Sequence, residues 1–397
     1  MLTSLLVWFT ILNMIKNLKD KIFMRGTRLA LIGESEFAKH MAEKFLAEKY
    51  YSVVCQIGIM GQARLVEGLE KWSPCKARRK SAEYDAVLVL DSLPHQKEIL
   101  YPLHNAGFDE VYFLQKKSPK VLDGAVIAPE AVTVFYLKQK PLLGYLEMHI
   151  TDCCNLKCKG CSHFANVFEK SETSFENFQK DITNLSQIFN VAVLRLMGGE
   201  PLTEPKLVQF LDAARKAFCG ATIYLVTNGL LIPKMTKEVA ESLRRNNIYL
   251  NISVYPPTEK VLEQIKQTLD SFGLTYFFSR SGMAIQTFYA RLNKNAKRCK
   301  SGRAGKVCAG KLCFMARNGK LAKCSYPLFA QKINSVFGTN YLTKGVDELT
   351  IEQITDGWKA IKVLSRPVPF CKYCAVHERN FKWRAATSKA KLSDYTI

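Results

Sequence analysis

Apolar positions recur along this chain in two rhythms. Short, nearly continuous apolar runs at Leu29–Ile32, Val53–Ile57, Ala86–Leu90 and Val111–Leu114 read as strands buried on both faces. After the first run, Phe37, Met41 and Phe45 fall on one helical stripe with Ala38, Ala42 and Leu46 beside it. The same alternation restarts near Gly144. Strands are expected at Tyr145–Ile150, Val191–Leu196, Thr222–Val226, Ile248–Val254 and Thr275–Phe278. Helical stripes lie between them, at Leu207, Phe210, Leu211, Ala214 and Phe218, and again at Val261, Ile265, Leu269 and Phe272. Strands alternating with helices imply parallel sheets.

These patterns divide the chain. Residues 27–135 read as a small Rossmann-like α/β domain, and residues 144–285 as an open or closed barrel of βα units. From residue 286 to 397 the rhythm breaks and Cys, Lys and Gly become frequent. Residues 1–26 stand apart: an apolar run from Leu5 to Ile15 is followed by Lys16, Lys19, Lys21 and Arg25. The order of charge and apolar residues is wrong for a signal peptide, and the run is short of the roughly 20 residues of a spanning helix. A helix docked on the protein is expected here, with a helix in a membrane interface as the alternative. The turn Gly33-Glu34-Ser35-Glu36-Phe37-Ala38 keeps only the first glycine of a dinucleotide fingerprint. It also places carboxylates where phosphates would bind, so the small domain reads as structural or docking.

Composition narrows the function classes. With 48% apolar residues in 397, the chain affords a sizeable core and is not a disordered protein. The net charge of +22 favours an anionic partner, and the basic residues are spread along the chain without a long block. The 13 cysteines gather mostly in two groups, Cys153, Cys154, Cys158 and Cys161, then Cys299, Cys308, Cys313, Cys324, Cys371 and Cys374. Without a secretory signal, clustered thiols point to metal in a reducing cytoplasm and not to disulfides. The expected location is cytoplasmic, with peripheral contact at the inner membrane face if residues 1–26 form an interface helix.

The first group contains C-x3-C-x2-C at Cys154, Cys158 and Cys161, just after a strand. Three thiolates on one short loop suit an iron–sulfur cluster, and three ligands for four irons leave one iron open. Cys153 offers a second frame and is expected to point elsewhere. Later strands end in further motifs: Gly198-Gly199-Glu200-Pro201, Thr227-Asn228-Gly229, and Asn251, Ser253 and Tyr255.

In this order the motifs resemble the radical S-adenosylmethionine (SAM) superfamily, over roughly residues 145–280. The resemblance implies a partial (β/α)6 barrel with a [4Fe–4S] cluster on Cys154, Cys158 and Cys161. It implies SAM contacts from Gly198, Gly199, Glu200, Pro201, Thr227, Asn228 and Ser253, with Glu200 binding the SAM amino group. It also implies an electron donor such as a flavodoxin or ferredoxin, and reductive cleavage of SAM to methionine and a 5′-deoxyadenosyl radical that abstracts a substrate hydrogen. One departure is Gly160, where many members carry an aromatic residue near the adenine. The stretch from His149 to Phe164 also resembles a subgroup that accompanies bacterial surface-polysaccharide genes.

In the second group, Asn318-Gly319 is a hairpin signal that sets Arg317 opposite Lys320 and, counting outward, Cys313 opposite Cys324. The pattern C-x10-G-x4-C followed by C-x2-C is similar to the SPASM/twitch extensions of radical SAM enzymes. That resemblance implies one auxiliary [4Fe–4S] cluster on Cys308, Cys324, Cys371 and Cys374. By hairpin geometry Cys313 competes with Cys308, and a structural zinc site is the alternative to the cluster. Cys299 is unassigned, and Cys55, Cys75 and Cys219 read as ordinary thiols.

Three functions follow from this reading. The first is a radical SAM enzyme acting on a small anionic substrate, such as a nucleotide- or phosphate-linked sugar. The second is a peptide-modifying SPASM-type maturase. The third is a non-enzymatic metal-binding nucleic-acid module, which leaves Gly198-Gly199-Glu200 and Thr227-Asn228-Gly229 unexplained; nucleic acid is therefore not the expected partner.

Overall fold

The computed structural model describes residues 26–33, 36–47, 51–58, 66–90, 102–114, 132–136, 140–279, 283–294, 297, 308, 313–385 and 390–397. The helix expected over residues 1–26 lies, but for Gly26, outside the described residues, as do Cys299, Glu34 and Ser35. The chain divides into two compact units between Leu142 and Leu143.

The first unit is built on a sheet of β1 (Arg28–Ile32), β2 (Ser52–Ile57), β3 (Lys71–Trp72), β4 (Ala86–Val89), β5 (Glu110–Leu114) and β6 (Val132–Tyr136). Its order is β3-β2-β1-β4-β5-β6, with every pairing parallel except that of β5 with β6. This is the doubly wound arrangement of a Rossmann-like domain. Leu29, Ala30, Leu31 and Ile32 are all buried, as a strand covered on both faces requires. Helix α1 (Glu36–Ala47) packs Ala38, Met41, Ala42 and Phe45 on this sheet. The stripe is narrower than expected, because Leu46 points to solvent at 44% exposure. The antiparallel edge β6 was not anticipated.

The second unit carries an open sheet. Its strands are β7 (Leu146–Thr151), β8 (Val193–Gly198), β9 (Thr222–Thr227), β10 (Ile248–Ile252) and β11 (Tyr276–Phe278). All four pairings among them are parallel. Helices α2 (Phe175–Ile188), α3 (Leu207–Ala217), α4 (Lys237–Arg245) and α5 (Leu262–Ser271) connect them. Alternation decides which face is dry. Leu146, Met148, Ile150, Leu194, Leu196, Ile223, Leu225, Leu250 and Ile252 join the helices in one core. The opposite parity carries Glu147, His149, Arg195, Tyr224 and Asn251 on the inner face.

The cysteine-rich region joins this sheet. A hairpin of β13 (Phe314–Arg317) and β14 (Lys320–Ala322) follows β12 (Thr287–Leu292). Asn318 and Gly319 adopt left-handed backbone with φ of 47° and 77°, and Arg317 pairs with Lys320 as the hairpin signal requires. Strand β13 also pairs in parallel with β7, Phe314 beside Leu146 and Ala316 beside Met148. The pairing satisfies backbone groups that β7 would otherwise leave at an edge. Further on, β15 (Glu348–Thr350) extends the sheet, and β16 (Cys374–Lys382) pairs antiparallel with β12.

Candidate active site

The loop after β7 carries Cys153, Cys154, Cys158 and Cys161, and the turn after β8 is bound tightly to it. Gly199 N–H donates to Thr151 O and Glu200 N–H to Cys153 O, both at 2.7 Å. A Cβ on Gly199 would stand 1.9 Å from Cys153 O, so only glycine allows this approach. Cys153 thus serves the turn through its carbonyl. The thiols of Cys154, Cys158 and Cys161 instead line one cavity of about 220 Å³, together with Gly198, Gly199, Thr227, Asn228 and Ser253.

Glu200 stands differently from its neighbours. It is fully buried and does not line this cavity. Its Oε1 accepts from Thr227 Oγ1 at 2.7 Å and Leu202 N at 3.1 Å, and its Oε2 accepts from Asn228 N at 2.7 Å. Burial pushes its carboxyl up to about 7 against these three hydrogen bonds. The carboxylate therefore braces the end of β9, where Thr227 and Asn228 face the cavity. Asn228 Nδ2 in turn donates to Asn155 Oδ1 at 2.7 Å, inside the cysteine loop. Pro201 opens the short turn that follows and is buried away from the cavity.

The three thiols have donors around them. Leu156 N–H points at Cys154 Sγ at 3.3 Å, and Trp383 Nε1–H at Cys158 Sγ at 3.2 Å. Burial, with the neighbouring thiols adding to it, pushes the Cys154 and Cys158 thiols up to about 12 against these donors. Burial also opposes a thiolate at Cys161, but His163 and the backbone N–H groups of Ala165 and His163 outweigh it and hold that thiol below its ordinary value. His163 is itself pushed up to about 9: burial disfavours its charge, while Cys161 and Glu147 favour it more strongly. Positive iron would supply the charge that stabilises all three thiolates. Among the described residues no three ligating side chains converge on a single ion. A four-iron cluster binds each thiolate through a different iron, so its ligands stand farther apart than those of one ion. The donor set fits a cluster.

Gly160 explains its own departure from the aromatic pattern. Its φ is +67°, and a Cβ there would stand 2.5 Å from Phe381 Cζ. Phe381 of β16 occupies the space, and Trp383 just beyond that strand packs on Tyr255 with ring centroids 5.8 Å apart.

A second cavity, of about 420 Å³, lies beside the first. Cys308, Cys313, Cys324, Cys371 and Cys374 all line it, with Arg291, Lys323, Tyr289 and Tyr326. Ser162, His163, Tyr255 and Phe288 line both cavities and so form the partition between them. Four of the five thiols are electrostatic neighbours. Cys374 feels Cys324, Cys371 and Cys308, after a burial effect that pushes it far up. Cys313 is also raised chiefly by burial, to about 12, and the charges that act on it most strongly are Glu147 and Arg195, ahead of Cys308. The strand pairing of the hairpin ends at Met315 with Ala322, two positions before Cys313 would stand opposite Cys324.

Arg195, Tyr145 and Glu147 were not singled out in the sequence. Arg195 Nη1 donates to Tyr145 Oη at 2.9 Å, Tyr145 Oη donates to Glu147 Oε1 at 2.5 Å, and Arg195 Nη2 reaches Asn251 Oδ1 at 3.4 Å. Arg195 Nε is buried without a hydrogen-bond partner among the described residues. Charged residues at inward parity in otherwise apolar strands were the available signal. Cys55 is buried, and Cys75 and Cys219 are exposed.

The Radical SAM superfamily model matches residues 148–272, which contain the three-cysteine loop and the ends of β8, β9 and β10. Among similar proteins, GTP 3′,8-cyclase of Alkaliphilus oremlandii (strain OhILAs) is 28% identical over 145 residues, 34% of this chain and 45% of that protein. GTP 3′,8-cyclase of Peptoclostridium acidaminophilum is 32% identical over 152 residues, 34% of this chain and 44% of that protein. The chain thus spans less than half the length of these relatives. Among solved structures, BtrN in complex with AdoMet and 2-DOIA is 16% identical with a TM-score of 0.35, over 59% of this chain and 94% of that one. Native anSMEcpe with bound AdoMet is 17% identical with a TM-score of 0.28, over 35% and 44%. No helix of the described residues is long and apolar enough to cross a membrane. The three-cysteine loop, the glycine turn clamped onto it and the family match over the same strands agree: residues 148–272 of this chain are a radical SAM domain.

Proposed function

We propose that this protein is a radical SAM enzyme acting on a small anionic substrate held between two iron–sulfur sites. The observation that carries the reading is the partition: the cavity of Cys154, Cys158 and Cys161 and the cavity of the later cysteines share Ser162, His163, Tyr255 and Phe288. In this reading Cys154, Cys158 and Cys161 hold the first [4Fe–4S] cluster. Gly198, Gly199, Thr227, Asn228 and Ser253 face SAM, and Glu200 orients Thr227 and Asn228. When bound, the cluster and SAM would supply one electron and then a carbon radical able to take hydrogen from a substrate. The chain's part is to bind, to orient and to exclude water behind Tyr255 and Phe288.

An auxiliary [4Fe–4S] cluster on Cys308, Cys324, Cys371 and Cys374 is favoured over one that uses Cys313. The mutual influence of the first four thiols supports it, whereas Cys313 feels Glu147 and Arg195 more strongly than it feels Cys308. The cations of both cavities, Arg195 in the first and Arg291 and Lys323 in the second, support an anionic substrate. The relatives' name refers to GTP, itself a polyanion, but the match covers 34% of this chain and less than half of each relative. A one-electron donor of the flavodoxin or ferredoxin type would complete the system.

The test is anaerobic. Reconstituted, reduced protein is incubated with SAM and with cell extract split into anionic metabolites and peptides. Slow formation of 5′-deoxyadenosine without extract, accelerated by the anionic fraction, is expected. Acceleration by the peptide fraction alone would replace this substrate class with a maturase activity. A fully loaded, reduced protein that binds no SAM and yields no deoxyadenosine would overturn the reading.

A further inference from the structure

The chain returns to the cysteine loop at its far end. Trp383 and Cys158 are 225 positions apart, yet the indole Nε1–H donates to Cys158 Sγ at 3.2 Å. The contact is held by backbone on both sides. Lys159 N–H donates to Arg384 O at 3.1 Å, Cys158 and Ala385 form an antiparallel bridge, and Trp383 N–H donates to Gln286 O at 2.7 Å. The ring is fixed in turn by Tyr255 at 5.8 Å, and Cys158 is 5% exposed. A buried sulfur thus receives a neutral, rigidly aimed donor that neither clamps the loop as a charge would nor lines the cavity of the three thiols.

A donor in this position has a specific consequence for a cluster ligand. Reduction adds an electron that is shared with the ligating sulfurs, so an N–H···S bond strengthens on reduction and raises the potential. We propose that Trp383 sets the reduction potential of the cluster held by Cys154, Cys158 and Cys161, through its hydrogen bond to Cys158 Sγ. The inference rests on the reading of those three cysteines as cluster ligands. Trp383 is a positioning residue in this account: it acts through Cys158 and makes the cluster easier to reduce by an external one-electron donor. The backbone bridges at Cys158 and Lys159 would hold the loop without the indole N–H, so the donor's effect is separable from the strand's.

The experiment is a redox titration of the anaerobically loaded full-length protein with dithionite and mediators. It is followed by electron paramagnetic resonance on the reduced signal that changes when SAM is added, which separates the first cluster from any other. Trp383→Phe keeps a ring against Tyr255 and removes the donor; Trp383→His restores an N–H. Loaded Trp383→Phe should shift the ratio of oxidised to reduced cluster about tenfold toward oxidised at a given potential. For one electron that is a midpoint lower by about 59 mV. Trp383→His should recover part of the shift. An unchanged midpoint in loaded Trp383→Phe overturns the proposal, as does an equal shift in Trp383→His. Loss of the first cluster from both variants would make Trp383 a structural clamp and overturn it too. A SAM-responsive signal that survives Cys158→Ala would instead show that the ligand reading itself is wrong, whatever Trp383 does.

Discussion

Arg317 holds Asp152 across 165 positions of sequence with a fork of two hydrogen bonds, Nε to Oδ1 at 3.1 Å and Nη2 to Oδ2 at 2.9 Å. Asp152 directly precedes the cysteine loop, and Arg317 ends β13 of the cysteine-rich hairpin. Both are buried, and His149 Nε2 stands 2.7 Å from the same carboxylate. Burial opposes the charge on Asp152, but His149 and Arg317 outweigh it and hold its carboxyl well below the usual range. His149 itself is pushed down to about 4 by burial, so it is neutral at pH 7 and Arg317 is the charged partner. Removing it leaves a buried carboxylate with only neutral partners, His149 and the Glu172 N–H at 2.9 Å from Oδ2. Arg317→Met should lose about 3–5 kcal/mol of stability, read by denaturant unfolding. Arg317→Met with Asp152→Asn should lose clearly less than the sum of the single changes; strict additivity would show that the pair does not interact.

Asp181 of α2 gives a pH signature. Its Oδ2 accepts from Gly319 N–H at the hairpin turn at 2.7 Å, yet burial pushes the carboxyl from 3.8 up to about 6. The charges facing it are Lys180 and Glu352, which pair with each other at 2.5 Å. A carboxyl raised on folding contributes stability that is present below its unfolded value and lost as pH rises through about 6. Asp181→Asn keeps an acceptor for Gly319 and carries no charge. Relative to the parent it should gain about 2 kcal/mol between pH 4.5 and pH 7.5. Thermal unfolding at the two pH values is the measurement, and a pH-independent difference would count against the assignment.

The auxiliary ligand set separates Cys308 from Cys313 directly. Cys308→Ala should lose about half the iron of the reconstituted protein, as four irons of about eight. Cys313→Ala should keep its iron. Iron and sulfide analysis of oxygen-free preparations decides it. Zinc in the second site of native protein would remove the auxiliary cluster and leave the first untouched.

Glu200 accepts three hydrogen bonds and meets the cavity only through Thr227 and Asn228. Glu200→Ala should lower SAM affinity on the order of tenfold to a hundredfold, from charge-assisted bonds of about 1.5–3 kcal/mol. Glu200→Gln retains one acceptor oxygen and should fall between the two. Calorimetric titration of SAM into loaded protein reads both, and an affinity unchanged in Glu200→Ala would remove Glu200 from the SAM site.

Gly160→Ala tests whether Phe381 fills the aromatic place in the loop. The new Cβ would meet Phe381 Cζ at 2.5 Å and Asp394 O at 2.9 Å, on backbone with φ of +67°. A loss of about 1–3 kcal/mol is expected. Phe381→Ala combined with it should recover part of that loss, and no recovery would place the strain in the backbone alone.

What the sequence determined by itself was local. The spacing of Cys154, Cys158 and Cys161, the Gly198-Gly199-Glu200 turn and the Asn318-Gly319 hairpin each depend on a few consecutive residues, and backbone geometry leaves them few alternatives. The strand runs of the first unit were legible for the same reason, because a strand buried on both faces must be apolar throughout. The glutamate is the instructive exception. Its motif announced it, but whether its carboxylate faced the cavity or the end of β9 depended on Thr227 and Asn228, which only the parallel pairing of β8 with β9 brings beside it. The parallel docking of β13 on β7, the Arg317–Asp152 fork and the Trp383–Cys158 bond were likewise invisible. They join residues more than a hundred positions apart, and no local preference of either partner encodes the meeting. Packing decides it, when a free sheet edge and a buried charge or sulfur must each find a partner within reach.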